Sequence, residues 1–138
     1  MIDKIAHIVT FHCVPNYGAV LQTYGLQEYL NTVFKEVRVL DYRPQSILKE
    51  YKNVNFHSIG SIVYSVWSLV PFISKKRAFA KFEKRLQLSS ITGKIADDFS
   101  GIKSDYLFCG SDQIWNPNVT HGFDPVFFGA FKTNSSPK

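Results

Sequence analysis

Between residues 5 and 42 the hydrophobic pattern changes period twice, and that succession constrains the fold more than any single residue does. Residues 5–11 (IAHIVTF) form a short, mostly apolar run without strict alternation, the pattern of a strand covered on both faces in a parallel sheet. In the next segment, HCVPNYG, Pro15 fixes φ, Asn16 can cap backbone donors and Gly18 tolerates positive φ, so a loop ends the strand. From Ala19 the spacing of Val20, Tyr24, Leu26, Tyr29, Leu30 and Val33, with Gln22, Gln27 and Glu28 between them, predicts a helix ending near Thr32. Residues 36–42 (EVRVLDY) alternate as a strand, which Arg43-Pro44 stops.

The remaining segments extend this β-loop-α-β opening. Residues 59–73 (IGSIVYSVWSLVPFI) are the most apolar stretch, but 15 residues interrupted by Ser61, Ser65, Ser68 and Pro71 fall short of the roughly 20 that a membrane-spanning helix needs. Residues 75–88 read as a helix with Phe79, Phe82 and Leu86 on one face, so 57–89 is expected to be a helical excursion between strands. Residues 105–110 (DYLFCG) read as a second buried strand, and 126–131 (VFFGAF) are a further strand candidate. The expectation is one α/β domain over 1–131 with a parallel sheet and right-handed crossovers, followed by a polar tail at 132–138. In such a sheet ligands sit beyond the carboxyl ends of strands, which selects two loops, HCVPNYG and GSDQIWNP.

Charge narrows the partners. The net charge is +5, and Lys75, Lys76, Arg77, Lys81, Lys84 and Arg85 against Glu83 supply all of it, leaving 10 basic and 10 acidic residues elsewhere. Basicity is therefore a local patch rather than a global field, and no nucleic-acid partner is expected. The 75–85 helix is read as a solvated face, with an anionic membrane surface as the alternative. Two cysteines are too few for a disulfide framework and no signal-peptide succession opens the chain, so a cytoplasmic location is expected, peripheral at the inner face of the membrane if the helix touches it. His7, His12, His57 and His121 lack metal-site spacing, so no metal is expected. Cys13, at a strand-to-helix turn, is considered as an activated thiol.

Each loop has a functional and a structural reading. In NYGAVLQTYGLQ the first helical turn can offer backbone donors to a polar ligand with Gln22 one turn further in, or Asn16 simply caps the helix and Gly18 permits the turn. The stretch lacks the three-glycine dinucleotide fingerprint, so NAD binding is not expected, and no cofactor is assigned. In GSDQIWNP, Ser111, Asp112, Gln113, Trp115 and Asn116 crowd the end of a strand after Gly110. Asp112 can accept from sugar hydroxyls and Trp115 can pack on a sugar face; the alternative is an Asp N-cap followed by a core tryptophan.

Four blocks in order, NYGAVLQTYGLQEYL (16–30), DYRP (41–44), FAKFEKRLQLS (79–89) and DYLFCGSDQIWNP (105–117), resemble the N-terminal region of the polysaccharide pyruvyl transferase family over nearly the whole chain. The resemblance implies a Rossmann-like α/β fold, the N-terminal part of a two-domain enzyme of GT-B type that transfers pyruvyl from phosphoenolpyruvate to a sugar as a ketal during cell-surface polysaccharide synthesis. It further implies that the donor-binding and catalytic half is a C-terminal domain absent from this sequence, supplied in cis or in trans, and that one more strand joins the sheet. Asn16, Tyr17, Gly18, Gln22, Gly110, Ser111, Asp112, Gln113, Trp115 and Asn116 would then line the acceptor side of a cleft, with no catalytic residue assigned. Two other readings stand beside this one: an inactive sugar-binding remnant, and part of a nucleotide-sugar glycosyltransferase.

Overall fold

A computed structural model of the chain describes residues 1–50 and 73–131. Strands β1 (Ile2–Val9), β2 (Phe34–Tyr42), β3 (Leu88–Gly93) and β4 (Tyr106–Cys109) form one sheet in the order β3-β2-β1-β4, and every pair is parallel. Helices α1 (Tyr17–Val33), α2 (Gln45–Glu50) and α3 (73–83) and a 3-10 turn at Ala96–Phe99 lie between the strands, and a 3-10 turn at Asp112–Trp115, helix α4 (Pro117–Thr120) and a 3-10 turn at Pro125–Phe128 follow β4.

The central strand explains the unalternating pattern at the start of the chain. Ala6 and Ile8 of β1 join Val37 and Val39 of β2 in one core, under Leu30, Phe34 and Leu86. Val9 joins Leu40 and Tyr42 in the opposite core, covered by Ile47, Phe99, Ile114, Val126 and Phe127. Alternate residues thus feed two faces, and both faces want apolar side chains, each worth about 1.5–3 kcal/mol when fully buried. Helix α1 starts where Asn16 Oδ1 accepts the Ala19 N–H at 3.2 Å, and it runs directly into β2. Helix α3 packs beside it through the Tyr17–Phe79 and Tyr24–Phe82 ring pairs.

Several expected elements change. Residues 126–131 are not a strand: Asp124 caps a 3-10 turn by accepting the Val126 N–H at 3.0 Å, Pro125 occupies its first position and Gly129 closes it with φ 67°. Capping at one end and a left-handed glycine at the other override the β propensity of Val-Phe-Phe. The helical excursion expected over 57–89 ends early, since 84–87 is a turn and Leu88 already opens β3; its first part, 57–72, lies outside the described residues, as does the 132–138 tail. Helix α2, after Pro44, and strand β3 were not anticipated. Among the described residues no helix is long and apolar enough to cross a membrane.

Candidate functional site

From β1 the sheet grows in one direction through β2 and β3 and in the other through β4, so the carboxyl ends of β1 and β4 mark the point where the winding reverses. An open parallel sheet leaves a crevice there. Both polar loops leave the sheet at this point, and between them lies an open cleft of about 670 Å³ lined by Asn16, Gly18, Gln22, Ser111 and Gln113, with Phe11, Val14, Ala19 and Val119. That volume falls within the range of small-molecule sites.

Local chemistry sets each of these positions. Asn16 folds over the first turn of α1 as its cap, and a Cβ on Gly18 would stand 3.3 Å from the Asn16 Oδ1. Gly18 is helical, so its missing side chain supplies clearance rather than the positive φ expected from the sequence. The first turn of α1 carries no acidic residue, which leaves the positive end of the helix dipole facing the cleft. Gln22 reaches across to the other loop: its Oε1 is 3.5 Å from Thr10 Oγ1, and a Cβ on Gly110 would stand 3.3 Å from its Nε2. Gly110 therefore allows α1 to close onto the end of β4.

The second loop divides its residues between tasks. Ser111 Oγ accepts the Gln113 N–H at 3.2 Å and Asn116 Oδ1 accepts the Asn118 N–H at 3.0 Å, so two of the crowded polar side chains cap successive turns. Ile114, fully buried, anchors the loop in the core. Trp115 is 52% exposed, which excludes the core-tryptophan reading; its Nε1 donates to the Phe127 carbonyl at 3.2 Å and its ring leans on Phe128. The Asp112 side chain lies outside the described residues. Of the ten residues selected from the sequence, Asn16, Gly18, Gln22, Ser111 and Gln113 line one cleft, and Gly110 shapes it. Tyr17 instead packs on Phe79 at the far side of α1, and Trp115 and Asn116 are not among its lining.

A second polar centre escaped the sequence reading. At the end of β1 the buried His12 Nε2 lies 3.0 Å from Asp41 Oδ1, and the same oxygen accepts from Arg43 Nε at 2.6 Å while Asp41 Oδ2 accepts from Thr92 Oγ1 at 2.6 Å. Arg43 also donates to Glu83 on α3. Burial alone would raise the Asp41 pKa, but the hydrogen bonds from His12 and Thr92 and the Arg43 charge outweigh it and hold the carboxyl at about 2. His12, Asp41 and Glu83 place possible metal-ligand atoms within 4.8 Å of one another, a grouping the sequence spacing did not reveal. Arg43 bridges the two carboxylates and already supplies the cation they need. The available signal was a titratable residue directly following apolar residues near the ends of two neighbouring strands, His12 after Phe11 and Asp41 after Leu40. Cys13, beside this centre, is not an activated thiol, because burial pushes its pKa up to about 11.

The fold and cleft together define a Rossmann-like α/β protein. No family model matches the chain, and neither a curated protein nor a solved structure matches it.

Proposed function

We propose that the chain is the acceptor-side, N-terminal segment of a polysaccharide pyruvyl transferase of GT-B type. The observation that carries this reading is the convergence of the two motif loops: Asn16, Gly18 and Gln22 of the first face Ser111 and Gln113 of the second across one cleft at the switch point of the sheet. Amide and hydroxyl groups on a partly apolar wall suit the alternating hydroxyl and C–H surfaces of a sugar. In the transfer, two acceptor hydroxyl oxygens bond to C2 of phosphoenolpyruvate and the C2–O bond to phosphate breaks. One hydroxyl proton converts the methylene to a methyl group and the other leaves with the phosphate. No residue of this chain is assigned to that bond-making, which belongs to a second domain acting in cis or in trans.

The outer side of β4 suits such a domain. Trp115, Phe123 and Phe128 form an exposed aromatic cluster beside it, and an apolar surface of this kind marks an interface. The test is phosphate release from phosphoenolpyruvate in the presence of candidate acceptor glycans. The purified chain is expected to bind an acceptor saturably, to lose that binding in Gln22→Ala and Gln113→Ala, and to release phosphate only with its complementary domain. Phosphate release by the chain alone would overturn the division of labour, and competition by a nucleoside diphosphate but not by phosphoenolpyruvate would assign a nucleotide-sugar glycosyltransferase instead. Glycan binding without turnover in the reassembled protein would leave a sugar-binding remnant.

A further inference from the structure

We propose that the face formed by α3 and the N-terminal half of α1 binds the surface of an anionic lipid bilayer. The charge is one-sided: Lys75, Lys76, Arg77, Lys81, Lys84 and Arg85 are all exposed, and Glu83, the one acid among residues 73–85, is engaged by Arg43. This is the complement of a sheet of lipid phosphates.

Charge is only half of the match. Between the two helices runs a groove of about 160 Å³ lined by Tyr17, Val20, Leu21, Ala78, Phe79 and Phe82, with almost no polar lining. Tyr17 is 64% exposed, Leu21 57% and Ile73 43%, so the face presents apolar groups at the level of its cations. Lys75 Nζ sits 5.7 Å from the Tyr17 ring centre and 5.8 Å from that of Phe79, holding an ammonium at the lip of the groove. A nucleic acid would be matched by the cations alone and would leave Leu21 and Ile73 unused. A bilayer uses both, with headgroups on the lysines and the hydrocarbon boundary on the aliphatic and aromatic tips. The apolar stripe of α3 itself is spent on α1, so the contact is shallow and reversible. Tyr17, selected from the sequence as a cleft residue, thereby gains a separate role one helix face away from the cleft.

Vesicle co-sedimentation of the purified chain tests this and requires neither substrate nor a second domain. Binding is expected to vesicles of phosphatidylcholine mixed with phosphatidylglycerol, to be released by high salt, and to be absent with phosphatidylcholine alone. The triple variant Lys75→Gln, Lys81→Gln, Lys84→Gln is expected to bind on the order of 100-fold more weakly, at about fivefold per charge near an anionic surface. Leu21→Asn is expected to weaken vesicle binding without changing its salt dependence. Unchanged circular dichroism verifies that each variant is folded. Equal binding to uncharged vesicles, undiminished binding by the triple variant, or capture by RNA with no affinity for anionic vesicles would each overturn the proposal.

Discussion

The two edges of the sheet are built on opposite principles. On the β3 side the strand is polar, with Ser89, Ser90 and Thr92 among its six residues, and it is tied inward by side chains: Ser89 Oγ accepts the Asp41 N–H at 3.0 Å and Thr92 Oγ1 donates to Asp41 Oδ2. On the β4 side the strand is Tyr-Leu-Phe-Cys, half-buried or exposed, with an exposed aromatic cluster next to it. A polar, side-chain-bonded edge is a finished surface that resists further pairing. An edge with the composition of an interior strand is a surface that takes a partner. Side-chain bonding thus concentrates on the β3 side of the sheet and exposed apolar surface on the β4 side.

The largest effect is expected on the finished side. Asp41→Ala removes the buried carboxylate that accepts from His12, Arg43 and Thr92 and leaves Arg43 with Glu83 alone, and breaking a buried ion-pair network in this way costs about 3–5 kcal/mol. Urea unfolding of the purified variant measures the loss, and a change below 1 kcal/mol would show that the network is ornamental. The same carboxylate sets a pH dependence. Its folded pKa is about 2 against an ordinary 3.8, so the stability it contributes is complete above the higher value and is lost as pH falls toward the lower. Acid titration of stability is expected to be steeper over that window for the parent chain than for Asp41→Asn, and identical slopes would contradict the assignment.

Next in size is Gly93→Ala, at the last residue of β3. A Cβ there would stand 2.3 Å from Cζ of Phe99, a ring with no exposure, so core side chains must shift at a cost of about 1–3 kcal/mol. A lowered midpoint in thermal unfolding checks it; an unchanged midpoint would mean that the β3 edge is looser than its packing indicates.

The same contrast governs what was legible in the sequence. β1, α1, β2 and β4 could be read because their patterns follow their environments: apolar runs for strands covered on two faces, and helical spacing for α1. β3 was not legible, since Leu-Ser-Ser-Ile-Thr-Gly has neither an apolar run nor clean alternation, and what holds it in place is long-range: backbone pairing with β2, reinforced by side-chain bonds to Asp41. Gln27 misled for a related reason. It reads as an outward polar residue of α1, yet it is 1% exposed, with Oε1 accepting the Gln87 N–H at 2.6 Å and Nε2 donating to the Arg85 carbonyl at 3.2 Å, and so it leads the chain into β3. The candidate site was legible in its loops but not in its division of labour. Residue type alone does not separate Ser111 and Gln113, which line the cleft, from Trp115, which turns outward one residue after the buried Ile114.

The smallest effect on stability, and the clearest difference between the two edges, is expected on the β4 side. Phe123 is 72% exposed and Phe128 50%, and they touch mainly each other and Trp115, so Phe123→Ser with Phe128→Ser is expected to change folding stability by no more than about 0.5 kcal/mol. The isolated chain is nevertheless expected to self-associate as its concentration rises, because no described residue covers the outer side of β4 or the aromatic cluster, and the double variant should stay monomeric to higher concentration in light scattering. The mirror substitution on the finished side, Ser90→Phe, places an aromatic ring on an exposed position of β3. If Ser90→Phe promotes association as strongly as the parent's own β4 side does, exposed aromatic area alone drives it and the two edges do not differ in kind. If it does not, the apolar strand β4, which pairs on one side only among the described residues, is the determinant, and association proceeds by strand pairing rather than through a merely greasy surface.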